Sequence, residues 1–272
     1  EVLVPAPSYP LLSHLGHLAG VVLTPYTCRY DGRWSFEPAE LWDAISDRTR
    51  AIVAVSPNNP TGDYLSADEL DALASLGLPL IVDEVFHSYP LEVRDVPPRA
   101  FETAGESLVF TLDGASKRLA LPQLKLGWTS VTGPEAEVVQ ACSRLELILD
   151  TYLAVSTSQH ALPALLEGAA EPGSVPAQIR ARAAANLARL REACRDTSAT
   201  VPRVEGGFYA SIRVPATQTD EAWALALIHD GVLVQPGYFY DFPEEEAWLV
   251  VSLMTPEEVF ARGVAQLARL AR

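Results

Sequence analysis

A chain of 272 residues with 49% apolar side chains is long enough to bury a core as one large domain or two modest ones. Lys and Arg total 20 against 35 Asp and Glu, and the net charge of −15 argues against nucleic acid or an anionic membrane surface as partner. Cys28, Cys142 and Cys194 form no close pair, so no disulfide framework or zinc site is expected and a reducing cytoplasm is the simplest home. No apolar run approaches the roughly 18 residues of a membrane-spanning helix.

Along the first half, short apolar runs alternate with helical patterns. Val2–Val4, Val21–Leu23, Ala51–Val55, Leu80–Val82, Leu108–Thr111 and Gly127–Val131 read as buried strands. Helices are predicted at Tyr9–Ala19, Pro38–Ile45, Ser66–Leu76 and Pro134–Asp150, and Ser66 with Glu69 three residues on is a capping-box signal. This alternation predicts an α/β fold, a mostly parallel sheet with helices on both faces. Functional residues are then expected at the carboxyl ends of its strands.

The break at Glu171-Pro-Gly-Ser174 precedes a long Ala/Arg helix, Val175–Asp196. A strand at Phe208–Val214, a helix at Asp220–Asp230, strands at Val232–Gln235 and Trp248–Leu253 and a helix from Pro256 follow. The pattern divides the chain into a large domain, 1–170, and a smaller C-terminal α+β domain, 171–272.

Three segments carry chemistry. Ser56-Pro-Asn-Asn-Pro-Thr-Gly62 and Leu80-Ile-Val-Asp-Glu-Val-Phe86 each contain or follow an apolar run. The third is Gly114-Ala-Ser-Lys-Arg-Leu-Ala-Leu-Pro-Gln-Leu-Lys-Leu-Gly-Trp128. There the Lys117 amine is suited to a Schiff base with an aldehyde cofactor, and Lys125 to its phosphate. Together, in this order, the segments resemble the pyridoxal-phosphate aminotransferases of fold type I, and the resemblance runs from Glu1 to Arg272.

The resemblance implies pyridoxal 5′-phosphate held by Lys117, with the freed amine as proton shuttle in a ping-pong transfer between an amino donor and a keto acid. It implies Asp83 at the pyridine nitrogen, Asn59 donating to the phenolic oxygen, Tyr9 stacking on the ring, and Ser116 and Lys125 at the phosphate. It also implies a homodimer, with the segment from Asp150 to Thr157 reaching the partner's site, and further sequence before Glu1. Either the chain lacks that N-terminal portion or the portion stands outside this sequence. Without it, a helix N-terminus under the phosphate is missing and cofactor binding is expected to be weak.

Four positions depart from the family's pattern. Phe86 replaces a tyrosine donor, which Tyr209 or Tyr89 would have to supply. Lys125 replaces an arginine and so lacks its bidentate fork, and Gly114 replaces a serine. Val250 stands where an arginine usually grips the substrate carboxylate, which leaves Arg144 first, then Arg118 or Arg213, as substitutes. Tyr209, in Gly206-Gly-Phe-Tyr-Ala210, is expected at the substrate entrance. The five histidines show no metal-ligand spacing. Alternatives remain another fold-type-I reaction, such as a C–S β-lyase or a decarboxylase, and a degenerate paralogue serving as a non-enzymatic subunit.

Overall fold

The computed structural model describes residues 1–102, 105, 107–149 and 157–272. Most of the segment expected to reach a partner subunit, 150–156, lies outside them. The first part of the chain runs β1 (Val2–Ala6), α1 (Leu11–Ala19), β2 (Leu23–Tyr30), β3 (Trp34–Phe36), α2 (Pro38–Ala44) and β4 (Ala51–Val55). It continues through α3 (Ala67–Ala74), β5 (Leu80–Asp83), β6 (Val109–Gly114), α4 (Ala115–Arg118), β7 (Gly127–Thr132) and α5 (Glu135–Leu149). The remainder is α6 (Thr157–Ala170), α7 (Val175–Cys194), β8 (Tyr209–Val214), α8 (Asp220–His229), β9 (Gln235–Pro236), β10 (Ala247–Ser252) and α9 (Glu257–Leu270).

Seven strands form one sheet in the order β3-β2-β1-β4-β5-β6-β7. The pairs from β2 through β6 are parallel, and only β3 and β7, at the edges, run antiparallel. Every residue of β4, Ala-Ile-Val-Ala-Val, is buried, as a strand covered on both faces requires. The capping box is present, with Ser66 Oγ accepting from Glu69 N while Glu69 Oε2 accepts from Ser66 N.

The second sheet has the order β8-β10-β9 and is antiparallel. Its strands alternate sharply. Ala210, Ile212, Val214, Leu249 and Val251 turn to a core built with Leu187, Leu190, Phe260, Val264 and Leu267 of α7 and α9. Trp248 and Val250 turn the other way, into the core of the large sheet beside Leu3, Tyr26, Trp34 and Tyr240. The smaller unit therefore packs one face of its sheet against the larger. Asn186 Nδ2 ties α7 to the end of β10 by donating to the carbonyls of Leu253 and Thr255 at 2.9 and 2.8 Å.

Several elements differ from their predicted spans. β2 is longer than expected and is set back to Leu23, because Gly20 closes α1 in the left-handed conformation and Val21 N bonds Gly16 O. The three-residue β3 and the helix α6 lack a sequence pattern strong enough to predict. The strand expected at Val232–Gln235 is reduced to Gln235–Pro236, since its upstream backbone turns back onto α8 through Val232 N to Leu227 O.

Candidate active site

The parallel register aligns Val55, Asp83 and Leu112, so the loops after β4, β5 and β6 leave the sheet at one edge. Asn59, Asp83 and Lys117 are each carried there, on three neighbouring strands. This is where an open α/β sheet presents backbone and side chains to a ligand.

The loop after β4 is fixed by its first asparagine. Asn58 Nδ2 donates to Pro7 O and Thr61 Oγ1 at 2.9 and 2.7 Å, and Asn58 Oδ1 accepts from Ser8 Oγ at 3.0 Å. These bonds join the end of β1 to the end of β4. Gly62 has φ +79°, and a Cβ there would stand 2.7 Å from Val204 Cγ1 and 3.0 Å from Gly206 O, so only glycine fits. Its carbonyl accepts from the backbone N–H groups of Glu205 and Gly206. With the loop held by Asn58 and Gly62, the second asparagine is left over. Asn59 is 6% exposed, and its Oδ1 has no partner among the described residues. Such an orphan in a native site calls for an explanation, and a ligand is one.

Asp83 ends β5 and accepts one backbone bond, from Val85 N at 3.1 Å. Burial pushes its carboxyl above the usual range, the Val85 N–H works against that, Asp113 adds to the rise and Lys117 opposes it. Among the described residues no cation lies at ion-pair distance from it. Lys117 sits in the single turn of α4, half-buried. α4 is anchored at both ends, by Ala115 N to Leu126 O and by the Tyr89 hydroxyl donating to Lys117 O.

The remaining candidates are placed as follows. Ser116 is half-buried beside Lys117, and Lys125 is exposed, with φ +49° after the turn Pro122–Leu124. A Cβ on Gly114 would lie 3.2 Å from Leu126 O, which leaves little room for a serine. Phe86 is buried, edge-on to Phe208 at 4.9 Å and to Tyr209 at 6.2 Å. The Tyr89 hydroxyl is committed to the Lys117 carbonyl, so of the two proposed substitutes for a residue-86 hydroxyl only Tyr209 stays free of such a bond. Burial raises the Tyr209 phenol, and Tyr9 raises it further. Tyr240 is pushed to about 12 by burial, then by Tyr209 and Tyr9, so three phenols face one region. Tyr9 itself is 42% exposed.

The arginines expected near a substrate carboxylate are not brought there. Arg144 lies in α5 over a shallow depression lined by Pro79, Leu108 and Phe110. Pro79 and Leu108 precede β5 and β6, at the sheet end opposite Asp83. Arg118 is paired with Asp113 at 2.8 Å, and Arg213 with Glu246 at 2.7 Å. Val250 is 1% exposed within the apolar cluster. Sequence reasoning did not find Asn58, Ser8, Arg99 or Asp113, whose partners lie up to 51 residues away.

A family model described as "Aminotransferase class I and II" matches residues 1–262. The alanine aminotransferase of Mycobacterium tuberculosis (strain ATCC 25618 / H37Rv) is 30% identical over 173 residues, 62% of this chain and 40% of that protein. The chain thus aligns with less than half the length of that relative. Capreomycidine synthase of Streptomyces vinaceus is 28% identical over 279 residues, 98% of this chain and 67% of the synthase. The crystal structure of an aminotransferase from Escherichia coli superposes with a TM-score of 0.87 at 21% identity, over 99% of this chain and 69% of that one.

Proposed function

Because this chain belongs to the class I and II aminotransferases, we propose that it is a pyridoxal-phosphate-dependent enzyme that moves an amino group between an amino donor and a keto acid. The observation that carries the reading is the set of unmet valences at one sheet edge. Among the described residues these are Asn59 Oδ1, buried and without a hydrogen-bond partner, and Asp83 and Lys117, half-buried and with no opposite charge at ion-pair distance.

The residues present fit the cofactor. Asp83 is raised by burial and, among the described residues, has no cation at ion-pair distance, so a protonated pyridine nitrogen would complete it. Asn59 can turn its amide to offer an N–H to a phenolic oxygen, since the two amide ends exchange by a flip. Lys117 would attach the aldehyde, and Ser116 and Lys125 would meet the phosphate, Lys125 as a point charge rather than a fork. Tyr9 would lie on the ring face. When bound, the group supplies an electron sink for negative charge at the substrate α-carbon.

The chain's own residues do the rest. Asp83 holds the ring charge. Lys117, once released by the incoming amine, would be the group that moves the proton between the substrate α-carbon and the former aldehyde carbon. Phe86 and Phe208, packed edge to face, would keep one side of the site apolar. Donor and acceptor would occupy the same place in turn, which makes the kinetics ping-pong. Val250, enclosed in the apolar core, supplies no charge for a substrate carboxylate where the family's arginine would, and Tyr209 would add a phenol at the entrance. This favours an amine, or an amino acid whose carboxylate points elsewhere. We place the large unit at 1–170 and the small one at 171–272, and propose a cytoplasmic homodimer. The segment around 150–157 would reach the partner's site.

A second reading is a different reaction on the same site. It is favoured by one observation: the relative aligned over 98% of the chain is a synthase by name. A single half-reaction separates the two. With the cofactor-loaded chain, an amino donor and no second substrate, transamination yields one equivalent of oxo product per chain and no free ammonia. Continued product release without an acceptor means elimination or another reaction.

A further inference from the structure

Beside Asp83 and Lys117 lies a largely buried charge chain that the reaction as proposed does not use. Arg99 Nη1 donates to Glu84 Oε2 at 3.1 Å and to Asp113 Oδ2 at 2.9 Å. Arg118 Nη1 donates to the same Asp113 oxygen at 2.8 Å. The other oxygens are also engaged, Asp113 Oδ1 by Gly114 N at 2.7 Å and Glu84 Oε1 by Ala100 N at 2.7 Å. The Glu84 and Asp113 side chains are 2% exposed, that of Arg99 10% and that of Arg118 33%.

The chain's ends are its point. Glu84 follows Asp83 directly, and Arg118 follows Lys117 directly. The network therefore joins the strand end that carries one candidate to the helix that carries the other, across two neighbouring strands. Asp113 also acts on Asp83 through space, raising it, while Lys117 lowers it. Other charges face the network too. Glu102 accepts from Arg99 N at 3.1 Å, and His87, held neutral by burial, bonds Pro97 O through Nε2.

A buried carboxylate between two guanidiniums is costly to disturb. Removing one partner leaves an uncompensated charge in a region of low dielectric. Such a group fixes geometry and local field together. We propose that Asp113 is a positioning residue which, clamped between Arg99 and Arg118, fixes the helix bearing Lys117 against the strand end bearing Asp83 and sets the charge felt at the Lys117 amine. This rests on the reading of Lys117 as the cofactor attachment.

The test is a pH titration of the near-visible absorbance of the full chain loaded with pyridoxal phosphate, alongside thermal melts without it. Asp113→Asn removes a negative charge and leaves Arg99 and Arg118 facing Glu84 alone, an excess of one positive charge, so the absorbance midpoint should fall by about one pH unit. Arg118→Gln removes a positive charge and should raise it. Glu92→Gln is the control. Glu92 takes two bonds from Arg191, far from Lys117 in the chain, and its loss should lower the melting temperature without moving the midpoint. Opposite shifts in the two network variants establish the role. Midpoints that match the wild type while melting falls would make the network merely structural and overturn the inference. Should Asp113→Asn fail to fold, the sign of the shift in Arg118→Gln, a partly exposed position, decides alone. A wild-type chain with no absorbance band overturns the functional reading itself, and this inference with it.

Discussion

Among the described residues, buried Asn59 Oδ1 has no hydrogen-bond partner and half-buried Asp83 and Lys117 have no opposite charge at ion-pair distance, which is what makes the three informative. Replacing Lys117 with Ala should abolish borohydride-fixable attachment of the cofactor and lower turnover by at least about 10²–10⁴-fold, the usual worth of a positioned proton shuttle. A borohydride-fixed cofactor on another lysine, found by peptide mass, would reassign the site. Asp83→Asn should keep the cofactor bound and cut turnover by orders of magnitude, because a neutral amide cannot hold a ring cation. Near-normal steady-state rates would rule that role out. At Val250 the apolar surroundings bear on both fold and substrate. An arginine there would bring a charge among Tyr240, Trp248 and Leu3 and should cost several kcal/mol in a denaturant melt. If the folded fraction of Val250→Arg gains half-reaction rate with alanine or glutamate over the wild type, the valine sets substrate preference. If the wild type is already efficient with both, the carboxylate is held elsewhere.

At the scale of an element, the loop after β4 contains a buried acid. The Asp63 carboxyl is pushed up to about 7 by burial, although Thr61 donates to it, and Glu84 is likewise raised to about 7. Both bind a proton in the folded chain that the unfolded chain gives up near pH 4. Stability from these groups is therefore fully present below about pH 4 and is lost as pH rises toward 7. His87, lowered to about 4, has the reverse slope, losing stability as pH falls from about 6.5 to 4. Asp63→Asn isolates one group. It should flatten the fall in stability between about pH 4 and 7 and melt higher than wild type above pH 7. Parallel melting curves for the two proteins across that range would mean Asp63 is ionised when folded. The capping box gives a simpler test, since Ser66→Ala should cost about 1 kcal/mol in chemical denaturation.

The whole molecule leaves apolar helix faces uncovered. Leu11, Leu15 and Leu18, four and three residues apart on one side of α1, are 44%, 50% and 82% exposed, and on α5 Leu147 and Ile148 are 77% and 69% exposed. Exposed stripes of this kind mark association surfaces. The chain should sediment as a dimer, and Leu15→Glu with Leu18→Glu, or Leu147→Glu with Ile148→Glu, should shift it toward monomer. Monomeric sedimentation of the wild type at micromolar concentration would refute the homodimer. Among the described residues no helix is long and apolar enough to cross a membrane.

The sequence by itself determined the alternation of strands and helices, the capping box and the three chemical segments. Each of these is local: a run of apolar residues, a cap three residues from its partner, a motif contiguous in the chain. The parallel order of the strands then had to bring Asn59, Asp83 and Lys117 to one edge. What only the tertiary structure decided is how the long-range polar groups pair. Arg99 meets Asp113 over 14 residues and Asn58 meets Pro7 over 51, and no periodicity records either. The fate of the arginines was equally hidden. Arg118 and Arg213 carry the same charge as a carboxylate clamp, but buried or half-buried acids already hold them, while Arg144 lies at the far end of the sheet. A sequence shows which charges are present. Only packing decides which are neutralised and which are left to meet a ligand.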